Sequence, residues 1–404
     1  MRKHLLVATA LSLAAFSVSG TARADEVTAW RLFVSDHAEG KVTVLDAVEG
    51  RTIDTFPIKG PATLFRSESG KAVFAVQSNA DIVSTISTGI AFDDHGDHGD
   101  IDIEAPKLTG ADIAGEYPVH FVEHDGEFAA FFDKEGVARV FSEADALAGK
   151  LRIREVKAAA PHHGVVIPHR GHDIVSVPNP DDNTKPPVAA QVLAHDGSKV
   201  GEPIECAGLH GEATSGNLAV VGGCTDGILV IGAGDGAPRV EKLGYPETMP
   251  AGRISTALGG RGLQYFLGNY GPDKVVLIDP TADKDGFRLI DLPMRRVHFA
   301  VDPVRPRFAY VFTEDGQLHQ LDVVAGRIAV SLKLTDPYSM DGHWSDPRPR
   351  IAVAGDHIVV TDPLEGKLHL VDAASFAKDG EIAVPGKPYN IVSVGGSGRT
   401  HEAE

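Results

Sequence analysis

Two arrangements of histidine in this 404-residue chain have the residue types and the spacing of metal ligands. The acidic segment 92–100 reads Phe-Asp-Asp-His-Gly-Asp-His-Gly-Asp, so imidazoles and carboxylates alternate along a glycine-rich backbone. Beyond it, His120, His163 and His210 recur at intervals of 43 and 47 residues. Because zinc, copper and nickel prefer imidazole ligands, the sequence predicts a protein that handles a transition metal, with zinc as the favoured ion.

The elements that must position these histidines are short strands. Apolar runs such as 41–45 and 274–278 are separated by Gly, Pro, Asn and Asp, a pattern typical of an all-β chain. One group of four such runs covers residues 297–330, and residues 342–384 repeat it. Four antiparallel strands in about 40 to 50 residues form one blade of a β-propeller.

One residue in the first strand of each group marks the start of a repeat, and we call this residue the anchor. Counting the anchors predicts eight four-stranded blades, with seven as the alternative. We expect the strands between residues 30 and 56 to complete the last blade with the C-terminal strand, which closes the ring. First strands line the central channel of a propeller, so histidines from three consecutive blades should face one another. The anchors are Thr63, His120, His163, His210, Ser255, His298, Asp341 and Asn390.

The acidic segment interrupts this repeat. The interval between Thr63 and His120 exceeds the others by about ten residues, and it contains an insertion at 93–104. Such insertions usually form loops on one face of a repeat protein, often the binding face. A solvated acidic loop is the alternative to a metal-binding loop, and calcium is the alternative ion. The candidate ligands in this loop are His95, Asp97, His98 and Asp100.

The channel histidines are the candidates for a tighter site. Three imidazoles from neighbouring strands suit zinc, whose bonds to nitrogen are about 2.0–2.1 Å long. His124 follows His120 on the same strand face and is a second candidate. A single histidine is more often structural, so it is the coincidence at three successive anchors that favours ligation. The fourth ligand stays open between a water, another histidine, Asp102, Glu104 and Glu212.

The N-terminal segment, the net charge and the cysteines indicate the compartment of the protein and the kinds of partner it can bind. A basic start, an apolar run and an Ala-Arg-Ala motif in residues 1–24 predict a cleaved signal peptide, followed by a single propeller domain at 25–404 in the periplasm. The formal net charge of −18 argues against nucleic acid as a partner. No further stretch is long enough for membrane insertion. Cys206 precedes one short strand-like segment and Cys224 ends the next, so a hairpin would bring them together and a disulfide is expected in an oxidising compartment.

The segments 95–98, 118–124, 161–165 and 209–212 resemble the AztD zinc metallochaperones, which are periplasmic β-propellers. The resemblance implies that zinc is bound by His120, His163 and His210. It also implies direct delivery of zinc to the solute-binding protein of a zinc ABC transporter.

Signatures of catalysis are missing from the sequence. There is no GxSxG elbow, no HExxH motif and no glycine-rich phosphate loop, so we expect that the protein is not an enzyme. Two alternatives stay open. One is a propeller enzyme of the metal-dependent lactonase or quinoprotein type, and the other is a protein-interaction propeller with incidental histidines. Only Asp341 among the anchors is a carboxylate, which argues against the calcium site that such a lactonase needs.

Overall fold

Eight antiparallel sheets surround a central channel in the computed structural model, which describes residues 26–94, 99–260, 262–282 and 284–400. The predicted eight-bladed propeller is therefore confirmed. Helix is limited here to a 3₁₀ turn at Ser78–Ala80 and to α1 at Glu143–Leu147, whose first turn is capped by the Ser142 hydroxyl. No helix in the described ranges is long and apolar enough to cross a membrane.

The strands are short and follow one another closely. In chain order they are β1 Glu26–Asp36, β2 Lys41–Asp46, β3 Thr52–Pro57, β4 Thr63–Arg66, β5 Ala72–Gln77, β6 Ile82–Ser87, β7 Ile90–Asp94, β8 Gly99–Ile103, β9 Lys107–Leu108, β10 Ile113–Ala114, β11 Pro118–His124, β12 Glu127–Phe132, β13 Val137–Ser142, β14 Arg154–Lys157, β15 Val166–His169, β16 His172–Val177, β17 Ala189–Ala194 and β18 Lys199–Glu205. The second half of the chain contributes β19 Glu212–Ser215, β20 Leu218–Cys224, β21 Gly227–Gly232, β22 Arg239–Gly244, β23 Ala257–Leu258, β24 Phe266–Asn269, β25 Lys274–Ile278, β26 Phe287–Asp291, β27 Arg296–Val301, β28 Phe308–Thr313, β29 Gln317–Asp322, β30 Arg327–Lys333, β31 Ile351–Ala354, β32 His357–Asp362, β33 Lys367–Asp372, β34 Ala377–Ala383 and β35 Pro388–Arg399.

Most blades are built from four consecutive strands. Blade 1 consists of β4, β5 and β6 with two short outer strands, β9 and β10, and blades 2 to 7 follow in order from β11 to β34. Blade 8 combines β1, β2 and β3 with β35 from the other end of the chain, as predicted. The first strands of neighbouring blades contact one another, which places them around the channel. The pairing of β1 with β35 thus joins the two ends of the chain within one blade and closes the ring.

Two features depart from the regular repeat. The hairpin β7–β8 is inserted in the chain between β6 and β9 of blade 1, but it extends the sheet of blade 8, where β8 joins the end of β35 through a parallel pairing of Asp100 with Arg399. The anchor placed at Asp341 is wrong, because the innermost strand of blade 7 begins only at Ile351. A proline-rich loop precedes β31, and prolines cannot donate to a strand ladder. Spacing alone did not reveal that this loop had displaced the strand.

The core lies between neighbouring blades rather than at the channel. Phe74 of blade 1, for example, packs on Phe121 and Phe128 of blade 2 with ring centroids 4.8 and 4.7 Å apart. Similar apolar clusters fill the other blade interfaces. Because packing holds each blade against the next, the first strands form a rigid wall on which polar side chains can face the channel.

Candidate metal centre

Three imidazoles meet at the channel where blades 2, 3 and 4 adjoin. His120 lies in β11, His163 in the segment before β15, and His210 directly before β19. The Nε2 atom of His163 is 3.1 Å from Nε2 of His120 and 3.1 Å from Nε2 of His210. Within the described ranges this is the one group of three or more ligating side chains with all ligand atoms within 4.8 Å of one another.

The opposite ring nitrogen of each histidine has its own acceptor. His120 Nδ1 lies 2.7 Å from Glu212 Oε1, and His163 Nδ1 lies 2.7 Å from Asp133 Oδ2. His210 Nδ1 donates to the carbonyl of Ser255 at 2.8 Å. Since these partners accept, each neutral imidazole carries its proton on Nδ1 and presents the lone pair of Nε2 to the same point.

Three lone pairs directed at one point need a cation between them. Nitrogens bound tetrahedrally to one zinc ion at about 2.0–2.1 Å are about 3.3 Å apart, close to the two separations seen here. Three imidazoles leave one position of a tetrahedron for a water or another ligand. The residues therefore fit a divalent transition metal with one exchangeable position.

Local backbone features aim the three rings. A register shift between Pro118 and Phe121 interrupts β11 beside His120 and turns that side chain into the channel. The neighbour of His163, His162, points the other way and bonds the Ser176 hydroxyl at 2.8 Å. Only one of two adjacent residues can face the channel, which agrees with the sequence argument from strand alternation.

The two carboxylates behind the rings form an outer layer of the centre. Glu212 was considered as a fourth ligand, but it contacts the far nitrogen of His120 and therefore acts through that ring. Asp133, in the turn after β12, was missed, since a turn aspartate carries no signal in a single sequence. The second oxygen of each carboxylate is buried and has no hydrogen-bond partner among the described residues. Their negative charge favours a cation at the Nε2 atoms.

Charge and burial set the proton affinities of the centre. Burial disfavours the charged form of His120, but the adjacent Glu212 carboxylate outweighs burial and raises the pKa of this ring. Burial also opposes ionisation of Glu212, yet attraction to His120 lowers the pKa of that carboxyl. Burial lowers the pKa of His210, and repulsion from His120 adds to this effect. The cluster thus favours a proton on His120 and disfavours one on His210.

Replacing Glu212 with glutamine should weaken zinc binding by roughly 10- to 100-fold, the usual cost of losing an outer-sphere partner. The amide keeps the shape of the side chain but lacks the charge that orients and polarises His120. Competition with a zinc-binding dye measures the change, and Glu202→Gln, on β18, serves as a control. Unchanged affinity in Glu212→Gln would remove this carboxylate from the centre.

The structure does not bring His124 into the three-histidine cluster. Four residues along a strand separate it from His120 by about 13 Å. Its buried ring stacks on His169 with centroids 4.8 Å apart, and its Nδ1 donates to the Pro168 carbonyl at 3.0 Å. The alternation of side chains along a strand predicts that both histidines lie on the same face of β11. It does not show that His124, further along the strand, no longer faces the cluster.

The loop candidates divide into described and undescribed residues. Asp100 is 5% exposed and lies on β8 opposite Asp93, close to the turn of the hairpin. Asp102 also belongs to β8, and Glu104 follows it, accepting a hydrogen bond from Arg31 through its backbone carbonyl at 2.6 Å. The remaining loop candidates, His95, Asp97 and His98, lie outside the described residues.

Two cavities that share lining residues lie between the three-histidine cluster and β7 of this hairpin. One has a volume of about 640 Å³ and is lined by His120, His210 and Glu212 at one end and by Arg66, Glu68 and Glu123 at the other. The second, of about 690 Å³, shares Arg66 and Glu68 and extends to Phe92 of β7. The Glu68 amide donates to Glu123 at 2.7 Å, which places the end of β11 beside the end of β4.

Fold and site together define a class: an eight-bladed propeller whose channel holds a cluster of three histidines that could bind a metal ion, with carboxylates behind the rings. No protein-family model matches the chain. The zinc chaperone AztD of Citrobacter koseri is 53% identical over 403 residues, which cover 99% of this chain and 95% of that protein. The chain therefore belongs to the AztD zinc chaperone family.

Solved structures agree with this assignment. The crystal structure of Citrobacter koseri AztD has a TM-score of 0.90 and 55% identity and covers 93% of this chain and 100% of its own. The structure of apo AztD from the same organism has a TM-score of 0.89 and 54% identity and covers 92% of this chain and 100% of its own. The dihydro-heme d1 dehydrogenase NirN, at 15% identity and a TM-score of 0.58 over 89% of this chain and 74% of its own, shares the fold alone. The family is named for a chaperone and not for an enzyme, in agreement with the sequence.

Proposed function

We propose that this protein is a periplasmic zinc metallochaperone that binds zinc through His120, His163 and His210. It then delivers the metal directly to the solute-binding protein of a zinc ABC transporter. The convergence of three Nε2 atoms, each with its Nδ1 already hydrogen-bonded, carries this proposal. Membership in the AztD zinc chaperone family supports zinc as the cargo. The signal peptide proposed at residues 1–24 and the disulfide support the periplasm.

A chaperone must release its metal as well as bind it, and the cluster has an open side. The side chain of His163 is 41% exposed, whereas that of His120 is 12% exposed. An incoming ligand from an acceptor can therefore approach the zinc beside His163 and occupy the exchangeable fourth position. Transfer through shared coordination avoids release of the ion into water, because each bond that breaks is replaced by a new one.

The histidine-containing hairpin serves, in this proposal, as a collecting arm for the channel. Phe92 of its strand β7 lines a cavity that shares Arg66 and Glu68 with the cavity beside the three-histidine cluster. Burial and the neighbouring Glu68 carboxylate raise the pKa of Glu123 to about 8, so this carboxyl holds a proton at neutral pH and would have to release it to contact a metal ion. We infer that His95 and His98 bind zinc first and pass it inward, or hold it during transfer to the acceptor.

Deleting residues 93–100 is expected to slow zinc loading or transfer while leaving the equilibrium affinity of the three-histidine cluster nearly unchanged. The cluster is built by blades 2 to 4, whereas the hairpin extends the sheet of blade 8. The measurement is the rate at which zinc appears in an apo solute-binding protein, in the presence of a chelator that competes for free ions. A same-length replacement of 93–100 by glycine and serine separates chemistry from loop length.

Two outcomes contradict parts of the proposal. If the deleted protein loads and transfers zinc as fast as the parent, the hairpin is only a solvated addition. If the chelator abolishes transfer by the parent, zinc passes through solution and direct delivery is wrong.

A further inference from the structure

The Cys206–Cys224 disulfide closes a ring of residues that includes part of the metal centre. The predicted pair is present, with both cysteines fully buried. Cys206 follows β18 of blade 3, and Cys224 ends β20 of blade 4. The segment between them carries the ligand His210 and the outer-sphere residue Glu212. No other member of the centre lies in this ring.

The backbone of His210 rests on the strand that Cys224 ends. Its amide donates to the Gly222 carbonyl at 3.1 Å, and the Gly222 amide donates to Gly211 at 2.6 Å. A register shift between Val221 and Cys224 produces this local geometry. Gly223 has a φ of +78°, and a Cβ there would lie 2.7 Å from the His210 carbonyl oxygen. The two backbones thus meet too closely for any side chain between them.

The disulfide fixes both sides of this contact. It attaches the start of the segment that carries His210 to the end of the strand against which that segment rests. His120, by contrast, lies within β11, which pairs with β12 on both sides of that residue. His210 precedes the first residue of β19, so its position depends on the crossover from blade 3. Two thiols cannot approach as closely as two bonded sulfurs, and their separation would shift this crossover.

We infer that the Cys206–Cys224 disulfide positions His210, so that the oxidised protein binds zinc more tightly than the reduced protein. The inference rests on the proposed zinc site and adds a redox dependence to it. Zinc–nitrogen bonds tolerate only small changes in length, so a displaced ligand costs affinity. We expect the dissociation constant for zinc to rise about tenfold or more, as for other losses of ligand support.

Zinc affinity before and after reduction tests the inference. A phosphine reductant takes an oxygen atom from water, becomes the phosphine oxide and leaves two thiols. Because free thiols can themselves bind zinc, the variant Cys206→Ala/Cys224→Ala is measured in parallel. We expect weaker binding by the reduced parent and by this variant, recovery of the parent after reoxidation, and no response of the variant to the phosphine. The absorption spectrum of bound cobalt should change with the loss of His210 from a tetrahedral site.

The outcomes separate this inference from the proposed function. If His210→Ala binds zinc as tightly as the oxidised parent, the three-histidine site itself is wrong. If His210→Ala binds weakly but the cysteine variant binds like the parent, only the inference fails. Circular dichroism accompanies each titration. Loss of the fold in both the reduced parent and the cysteine variant would also overturn the inference, because the disulfide would then maintain the propeller and not the site.

Discussion

Replacing His163 with alanine is expected to lower zinc affinity by about a hundredfold or more. Loss of an outer-sphere partner alone costs roughly 10- to 100-fold, and a direct ligand contributes more than its support. With His163 gone, the remaining Nε2 atoms of His120 and His210 cannot make a tight zinc site by themselves. The side chain of His163 is 41% exposed, so its removal should leave the fold intact.

The measurement for this substitution is a competition titration against a zinc chelator of known affinity. His195→Ala provides a matched control, because His195 is similarly exposed, at 43%, but lies outside the channel. Its zinc affinity should equal that of the parent. Parental affinity in His163→Ala would mean that the tight site is elsewhere in the chain.

Zinc affinity is also expected to fall steeply as the pH decreases. Protons and zinc compete for the Nε2 atoms, so affinity is complete above the pKa values of the imidazoles and is lost as pH falls through them. His120 should protonate first, because Glu212 raises its pKa, whereas the pKa of His210 is lowered. Each imidazole that must lose a proton costs about tenfold in affinity per pH unit below its pKa. The decline should therefore begin above the usual imidazole value of about 6.5.

A series of zinc titrations between pH 5 and about pH 8 measures this profile. In Glu212→Gln the pH at which zinc affinity begins to fall should be lower, because the carboxylate that favours the His120 proton is absent. A profile that is flat over this range, in the parent protein, would show that imidazoles do not hold the metal.

The sequence predicted the repeat and the meeting of the three candidate ligands because both depend on periodic features. Strand alternation and blade length located His120, His163 and His210 at equivalent positions, and the structure brings these three together. The disulfide followed from the positions of the only two cysteines, and the structure confirms it. The strands at the two ends of the chain were not part of any complete group of four, so their pairing in blade 8 was also predicted.

Features that depend on contacts between distant, non-equivalent residues were not predictable. Asp133 reaches His163 from a turn, and the turn has no counterpart in a repeat pattern. His124 shares the strand of His120, yet it stacks on His169 away from the cluster. Asp341 was wrongly assigned to the first strand of blade 7, because the loop before β31 has about the length expected of a strand and its turn. The spacing of residues in the sequence gives only their order along the chain, whereas the contacts between side chains depend on how the strands and loops pack.

Anomalous diffraction at the zinc edge, from crystals grown with one equivalent of zinc, tests the central claim most directly. The account predicts a single strong peak about 2.0–2.1 Å from the Nε2 atoms of His120, His163 and His210, with a water or one other ligand completing the tetrahedron. A zinc peak elsewhere in the chain, with no metal among these three imidazoles, would contradict it.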